Sequence, residues 1–260
     1  MRLGGTVAYA ALAAQRQGRC VGVVTSAGPD LDVGAHLPGI AVHQIAAPAT
    51  TRFRNEYHNG DRRQVLRARA APLTLQAVPQ AWRRAAIVHL APLAWEVDLT
   101  LAAALADTAG FVGATAQGWL RGWDADGVVS SWPCDGLDKQ LGRVAAIVVS
   151  AEDLAAEPEY AARLAAAGPI VAETLGADGV RILERDQTHL LPACPACASD
   201  PTGAGDVFAA AWFIRLAAGA SAASAARYAA TAAAYTVERH GLMGVPTLGE
   251  IEERLARWVG

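Results

Sequence analysis

Little in this chain points to nucleic acid, to a membrane or to a disulfide scaffold. Its 22 basic and 25 acidic side chains leave a formal net charge of −3, which provides no basic footprint for a polyanion. No uninterrupted apolar run reaches the roughly 18 residues that a bilayer span needs. The first residues also lack the hydrophobic segment behind a basic lead that marks a secretory signal. These absences give the expectation of a cytoplasmic protein with neither nucleic-acid nor membrane partners. Four cysteines in 260 residues are too few for a disulfide framework. Cys194-Pro195-Ala196-Cys197 has the spacing of a metal knuckle or redox pair, but Cys20 and Cys134 stand alone and no second close pair completes a four-ligand site. Structural or incidental thiols are the plainer reading, a redox role the sharper one. His89, inside the apolar run Ile87-Val88-His89-Leu90, reads as a hydrogen-bonded core residue. Two glycine-rich signatures are missing as well. No Gly-Lys-Ser or Gly-Lys-Thr triplet closes a Walker loop, and Phe208 stands where a dinucleotide fingerprint needs its third small residue.

What is present is the run Ser199-Asp200-Pro201-Thr202-Gly203-Ala204-Gly205-Asp206-Val207-Phe208, followed by an alanine-rich apolar stretch. The pattern predicts a helix opening near Gly203, with its first N–H groups lacking internal partners. Free N–H groups, the helix dipole and glycines without Cβ atoms together make an anion site. Asp206 would stand beside that anion. Transfer of a phosphoryl group to an alcohol needs a hydroxyl oriented and its proton accepted late, so a carboxylate near its ordinary pKa of about 4 suffices. The Gly203, Ala204 and Gly205 amides would meet the charge on the moving oxygens. The plainer alternative for Asp206 is a first-turn carboxylate that merely complements the dipole.

With 53% apolar residues, 260 residues suffice for one large domain with a substantial core. Apolar runs at 21–25, 87–90, 111–115, 145–149 and 170–174 read as buried strands of a mostly parallel sheet. Alanine-rich stretches at 6–17, 97–106 and 152–166 read as crossover helices. The expected fold class is α/β, a doubly wound, mostly parallel sheet flanked by helices. Val180–Leu183 and His189–Leu191 read as an antiparallel hairpin at one edge, and helices are expected at 205–217, 222–237 and 248–258. Asn59-Gly60, flanked by alternating residues, signals another hairpin, whose arginines read equally well as a solvated face. Gln117-Gly118-Trp119-Leu120-Arg121-Gly122-Trp123 follows the strand ending at Thr115 and so falls at the carboxyl edge, where α/β sheets bind ligands. There Arg121 would pair with phosphate or substrate oxygens through its planar fork, or else stack on Trp119 and Trp123 as part of a packed surface loop.

Asp200-Pro201-Thr202-Gly203-Ala204-Gly205-Asp206 resembles the C-terminal signature of the ribokinase-like (PfkB) carbohydrate kinases. The resemblance implies that Asp206 is the catalytic base, that Gly203, Ala204 and Gly205 form the anion hole, and that Asp200 and Thr202 lie near a monovalent cation such as K+. Gly4-Gly5-Thr6 is similar to the family segment that opens the first helix and touches the sugar. Ser150-Ala151-Glu152-Asp153 occupies the place of the Asn-x-x-Glu motif that organises Mg2+ and its waters, with serine for asparagine and aspartate for glutamate, so Glu152 and Asp153 are the candidate metal residues. Glu173 to Gly179 resembles the nucleotide-side turn, which assigns Thr174, Gly176, Asp178 and Gly179 to the nucleotide together with Ser150 and Thr202. Glu238 to Thr247, with Gly241, is similar to the loop flanking the adenine.

By the same resemblance, residues 40–75 are the candidate β-lid of a single domain covering 1–260. The chain starts three residues before Gly4, so the family's first strand, with its sugar-holding aspartate, is expected to be missing. The implied activity is ATP-dependent phosphorylation of a hydroxyl of a sugar, polyol or cyclitol. A nucleoside kinase is the nearest rival, and a non-catalytic binding or regulatory protein of the same fold is the rival from another class. In this family the lid sometimes forms a subunit interface, so a homodimer is one expectation for its assembly.

Overall fold

A computed structural model describes residues 4–58, 61–132, 134–185 and 187–258 of the chain. A six-stranded sheet runs in the order β12-β11-β10-β9-β6-β5. Its strands are β5 (Val88–Leu90), β6 (Val112–Thr115), β9 (Ala146–Ser150), β10 (Ile170–Thr174), β11 (Val180–Glu184) and β12 (Gln187–Leu191). β5, β6, β9 and β10 are parallel, and the β11–β12 hairpin adds two antiparallel strands at the edge, as the sequence pattern predicts.

Side chains alternate between the faces of a strand, and β9 shows what this does for the core. Ala146 and Val148 join one buried cluster, with α1 (Thr6–Arg16), α6 (Ala204–Ala217) and α7 (Ala222–Val237). Ile147 and Val149 join the other, with α3 (Thr100–Ala106), α4 (Leu137–Leu141) and α5 (Tyr160–Ala166). The sheet is therefore covered on both faces, which is why its strands read as continuous apolar runs. The C-terminal helix α8 (Leu248–Arg257) is held by a capping box between Thr247 and Glu250 and buries Ile251 against the first cluster. No helix among the described residues is long and apolar enough to cross a membrane.

Three details differ from the pattern-based expectation. The strand expected at 21–25 is β1 (Gly22–Ala27), but it pairs in parallel with β2 (Ala41–Ala46) in a two-stranded sheet of its own. A third cluster, Val23, Ala27, Val33, Leu37 and Ile40, anchors this pair to Ala8 and Ala11 of α1. The helix expected over 152–166 begins only at Tyr160. Pro158 cannot donate within a helix, and the Asp153 carboxylate turns back onto Ser150, so residues 151–156 form turns instead. The helix expected from Val97 starts at Thr100, whose N–H donates to Asp98 Oδ1 at 2.8 Å.

Within 40–75, after β2, the chain forms the hairpin β3 (Arg52–His58) and β4 (Asp61–Ala68). The Asn59-Gly60 turn lies outside the described residues. Arg54, Arg63 and Arg67, each half or more exposed, surround Glu56, so these arginines form the solvated face considered for them. A second small hairpin, β7 (Arg121–Trp123) and β8 (Val129–Ser131), docks against β4: Leu66 N–H donates to Gly127 O at 2.8 Å, and Val65 bridges Val128. A cavity of about 2510 Å³ opens at the carboxyl ends of the parallel strands and continues between β1 and β5.

Candidate active site

The mouth of α6 forms one wall of this cavity. Asp200 organises the approach to the helix. Its Oδ1 accepts from Thr202 N–H at 3.0 Å and its Oδ2 from Gly241 N–H at 3.2 Å, with His240 Nδ1 at 3.5 Å. Burial pushes this carboxyl up, but those bonds outweigh it and hold it below the usual carboxylate range. Backbone bonds from Ser199 and Asp200 to Val237 O, at 2.7 and 3.0 Å, tie the same loop to the end of α7.

Gly203 then caps α6 in the left-handed region, at φ +84°. A Cβ here would lie 2.2 Å from the Tyr9 ring, so conformation and space both require glycine. Ala204 N–H donates to Pro201 O at 3.3 Å, which takes it out of the expected trio of free amides. Among the described residues, the Gly205 and Asp206 N–H groups have no backbone acceptor, and a Cβ on Gly205 would meet only open space. The open helix end therefore loses Ala204 from the expected trio and takes in the Asp206 N–H.

Asp206 sits half-buried on the cavity wall. Burial raises its carboxyl to about 6, against a hydrogen bond from Thr6 and the positive charge of Arg121, while Asp153 adds a negative charge nearby. This corrects the expectation of an ordinary pKa near 4. The carboxylate is more basic than its free counterpart and still mostly ionised at neutral pH. Thr6 is presented by the first turn of α1, after Gly5 at φ +85°, where a Cβ would come 2.9 Å from Leu93. Arg121 is 9% exposed and lies under the β3–β4 hairpin, its guanidinium carbon 5.8 Å from the centre of the Phe53 ring. Among the described residues, the ring it faces is Phe53, whereas the plainer reading had it on Trp119 and Trp123. Trp119 is fully buried, with its indole N–H donating to Val97 O at 2.8 Å.

Most of the site residues expected from the sequence line this one cavity: Gly4, Gly5, Thr6 and Arg121 on one side, Ser150, Glu152, Thr174, Gly176 and Gly179 on the other, and Asp200 through Asp206 between them. Three stand outside the lining. Asp178 is exposed in a short turn, and Gly241 is buried behind Asp200. Asp153 is spent locally: its Oδ2 accepts from Ser150 Oγ at 2.7 Å and Ser150 N–H at 3.1 Å. Glu152 lines the cavity edge. No cluster of three or more metal-ligating side chains occurs among the described residues, so a divalent ion would depend on the ligand it accompanies.

Beyond Gly176 and Gly179 the cavity ends in a slot lined by Ala230, Ala233, Ala234 and Val237 of α7 and by Ala193, Cys194 and Pro195. Glu238 braces this slot, accepting from Cys197 N–H at 3.3 Å and from both Arg254 guanidinium ends at 2.8 and 2.9 Å. All four cysteines are free, and burial pushes the Cys194 thiol up, away from ready oxidation. Sequence reasoning did not single out Tyr9, Phe53 or Glu238. His89 hydrogen-bonds as expected, through Nε2 to Thr115 Oγ1 at 3.1 Å, but it also faces the cavity, and burial lowers its pKa to about 4.

Residues 132–248 match the family model described as "pfkB family carbohydrate kinase". The chain has the ribokinase-family fold. Ribokinase of Bacillus subtilis (strain 168) is 40% identical over 84 residues, 32% of this chain and 29% of that protein, so the matched stretch spans under a third of that relative. A pyrophosphate-dependent kinase in the ribokinase family, complexed with a pyrophosphate analog and myo-inositol, superposes with a TM-score of 0.81 at 23% identity, covering 96% of this chain and 91% of that one. Arabidopsis thaliana ribokinase, complexed with ribose and ATP, gives 0.73 at 18% identity, covering 97% and 87%. In this ribokinase-fold chain the pfkB match takes in β9, β10, the mouth of α6 and α7, which contribute one side of the cavity.

Proposed function

We propose that this chain is a kinase that transfers the γ-phosphoryl group of ATP to a hydroxyl of a sugar, polyol or cyclitol. The observation that carries the reading is Asp206: a carboxylate made more basic by burial stands beside open N–H groups at a helix mouth, inside a cavity with one apolar and one charged end. The acceptor lies on the Thr6 and Arg121 side, its hydroxyl directed at the phosphorus by Asp206. As the bond between the γ-phosphorus and its bridging oxygen breaks, the acceptor oxygen bonds to phosphorus and its proton passes to Asp206. The Gly205 and Asp206 amides and Arg121 meet charge on the phosphoryl oxygens in flight, and ADP leaves along the slot.

Glu152 would help hold Mg2+, which would supply neutralisation of the leaving-group charge. Asp200 and Thr202 stay assigned to the side where K+ would act.

ATP fits the donor end better than pyrophosphate does. Ala230, Ala233, Ala234 and Val237 offer an apolar wall for a base, a surface that inorganic pyrophosphate would leave unused. The test is a panel of sugars, cyclitols and nucleosides incubated with ATP or pyrophosphate, with Mg2+ and with or without K+, followed by phosphorus NMR. A phosphorylated sugar or cyclitol formed from ATP is the expected product. Phosphorylated nucleosides alone would favour the nucleoside-kinase alternative, and product from pyrophosphate alone would overturn the donor assignment. No product from any pair, together with tight binding of a panel member, would favour the non-catalytic binder.

A further inference from the structure

Arg121 is held from two directions. Its carbonyl accepts from Trp95 Nε1 at 2.8 Å, which fixes the start of β7 to the body of the protein. Its side chain reaches to the face of Phe53 on the lid hairpin. Phe53 pairs with Leu66 across that hairpin, and Leu66 N–H in turn donates to Gly127 O at 2.8 Å, at the turn joining β7 to β8. Gly127 is at φ +81°, and a Cβ there would stand 2.4 Å from Leu66 O, so the approach of the two hairpins is a backbone contact that admits no side chain. The ring and the guanidinium thus belong to two ribbons locked together, and the cation lies beside Asp206, whose charge it influences.

We propose that Phe53 is a positioning residue: its ring holds the Arg121 guanidinium toward the cleft, so that the seating of the lid hairpin sets where that cation meets the phosphoryl oxygens. Nothing in the proposal requires Phe53 to touch substrate. A ring under a partly desolvated guanidinium favours one arrangement of a long side chain. A cation that misses oxygens carrying charge in the transition state lowers kcat rather than substrate affinity. The proposal rests on the kinase reading above, because that reading gives Arg121 its ligand.

The experiment compares Phe53→Leu, Phe53→Tyr, Arg121→Ala and the Phe53→Leu/Arg121→Ala double variant on the best acceptor found. Phe53→Leu is expected to lower kcat about fivefold to tenfold with acceptor KM changed less than about twofold, and Phe53→Tyr, which keeps the ring, to restore kcat to within about twofold. In the Arg121→Ala background, Phe53→Leu is expected to have no further effect. An equal loss in both backgrounds, or no loss in either, overturns the proposal.

A second measurement needs no turnover. In the free protein the Arg121 Nε–Hε NMR signal, assigned by its disappearance in Arg121→Lys, should be displaced by the ring current and should move in Phe53→Leu but stay in Phe53→Tyr. If the signal is unmoved in Phe53→Leu, the positioning role falls. If the signal moves but no acceptor is turned over, the contact stands and the kinase reading fails.

Discussion

The two ends of the cavity are built in opposite ways. The proposed donor end comes from nearby stretches of chain between β9 and α7, is walled by alanines, and is fastened by backbone bonds such as those from Ser199 and Asp200 to Val237 O. The proposed acceptor end is assembled from segments far apart in sequence, with Thr6 from α1, Phe53 from β3 and Arg121 from β7, and it carries the Arg121 charge. On the proposed reading, the composite acceptor half would let the substrate change through single side chains without disturbing the transfer chemistry. Asp206 stands where the two ends meet.

Substitutions at the seam should cost most. Asp206→Asn is expected to lower kcat by about a hundredfold or more while leaving ATP affinity nearly unchanged, as read by steady-state rates and calorimetry. An equal loss of ATP binding would place Asp206 in the donor half alone. Gly203→Ala comes next. It forces a side chain into φ +84° against the Tyr9 ring and is expected to destabilise the fold by about 1–3 kcal/mol in urea titrations. Gly205→Ala points into open space and should leave stability within about 0.5 kcal/mol. On the donor side, Ala234→Leu narrows the alanine wall and should raise ATP KM about tenfold without changing acceptor KM. A matching rise in acceptor KM would break the division between the two ends.

The donor half was legible in the sequence because its interactions are short-range. Asp200-Pro201-Thr202-Gly203 contains its own turn, carboxylate, N–H partner and left-handed glycine, so the pattern alone located the helix mouth. Strands β5, β6, β9 and β10 were legible as apolar runs, since burial on both faces removes alternation. The pairing of β1 with β2 was not, because nothing in an apolar run says which neighbour it takes. Helix α5 was overextended because its alanine-rich composition outweighed Pro158 and the Ser150–Asp153 pair. On the other side of the cavity, Gly4, Gly5 and Thr6 were reached only through resemblance, Arg121 through its place after the strand ending at Thr115, and Phe53 not at all: the contact between Phe53 and Arg121 joins positions that no sequence spacing connects. The same holds for the pKa of Asp206, which depends on the cavity wall around it.

That pKa gives the account its most direct test. Because burial raises the Asp206 carboxyl to about 6, the proposed base would be lost to protonation as pH falls through that value. Stability has the opposite sense: the folded state keeps this proton up to a higher pH than the unfolded chain, so the contribution of Asp206 to stability declines as pH rises from about 4 past about 6. The decisive measurement is kcat/KM for the best acceptor from pH 5 to pH 8, with ATP saturating. The account predicts an acid limb with a midpoint near 6 that is absent from the residual activity of Asp206→Asn. A rate that stays flat across that range in the wild-type protein, or an acid limb that survives in Asp206→Asn, would contradict the assignment of Asp206 as the base.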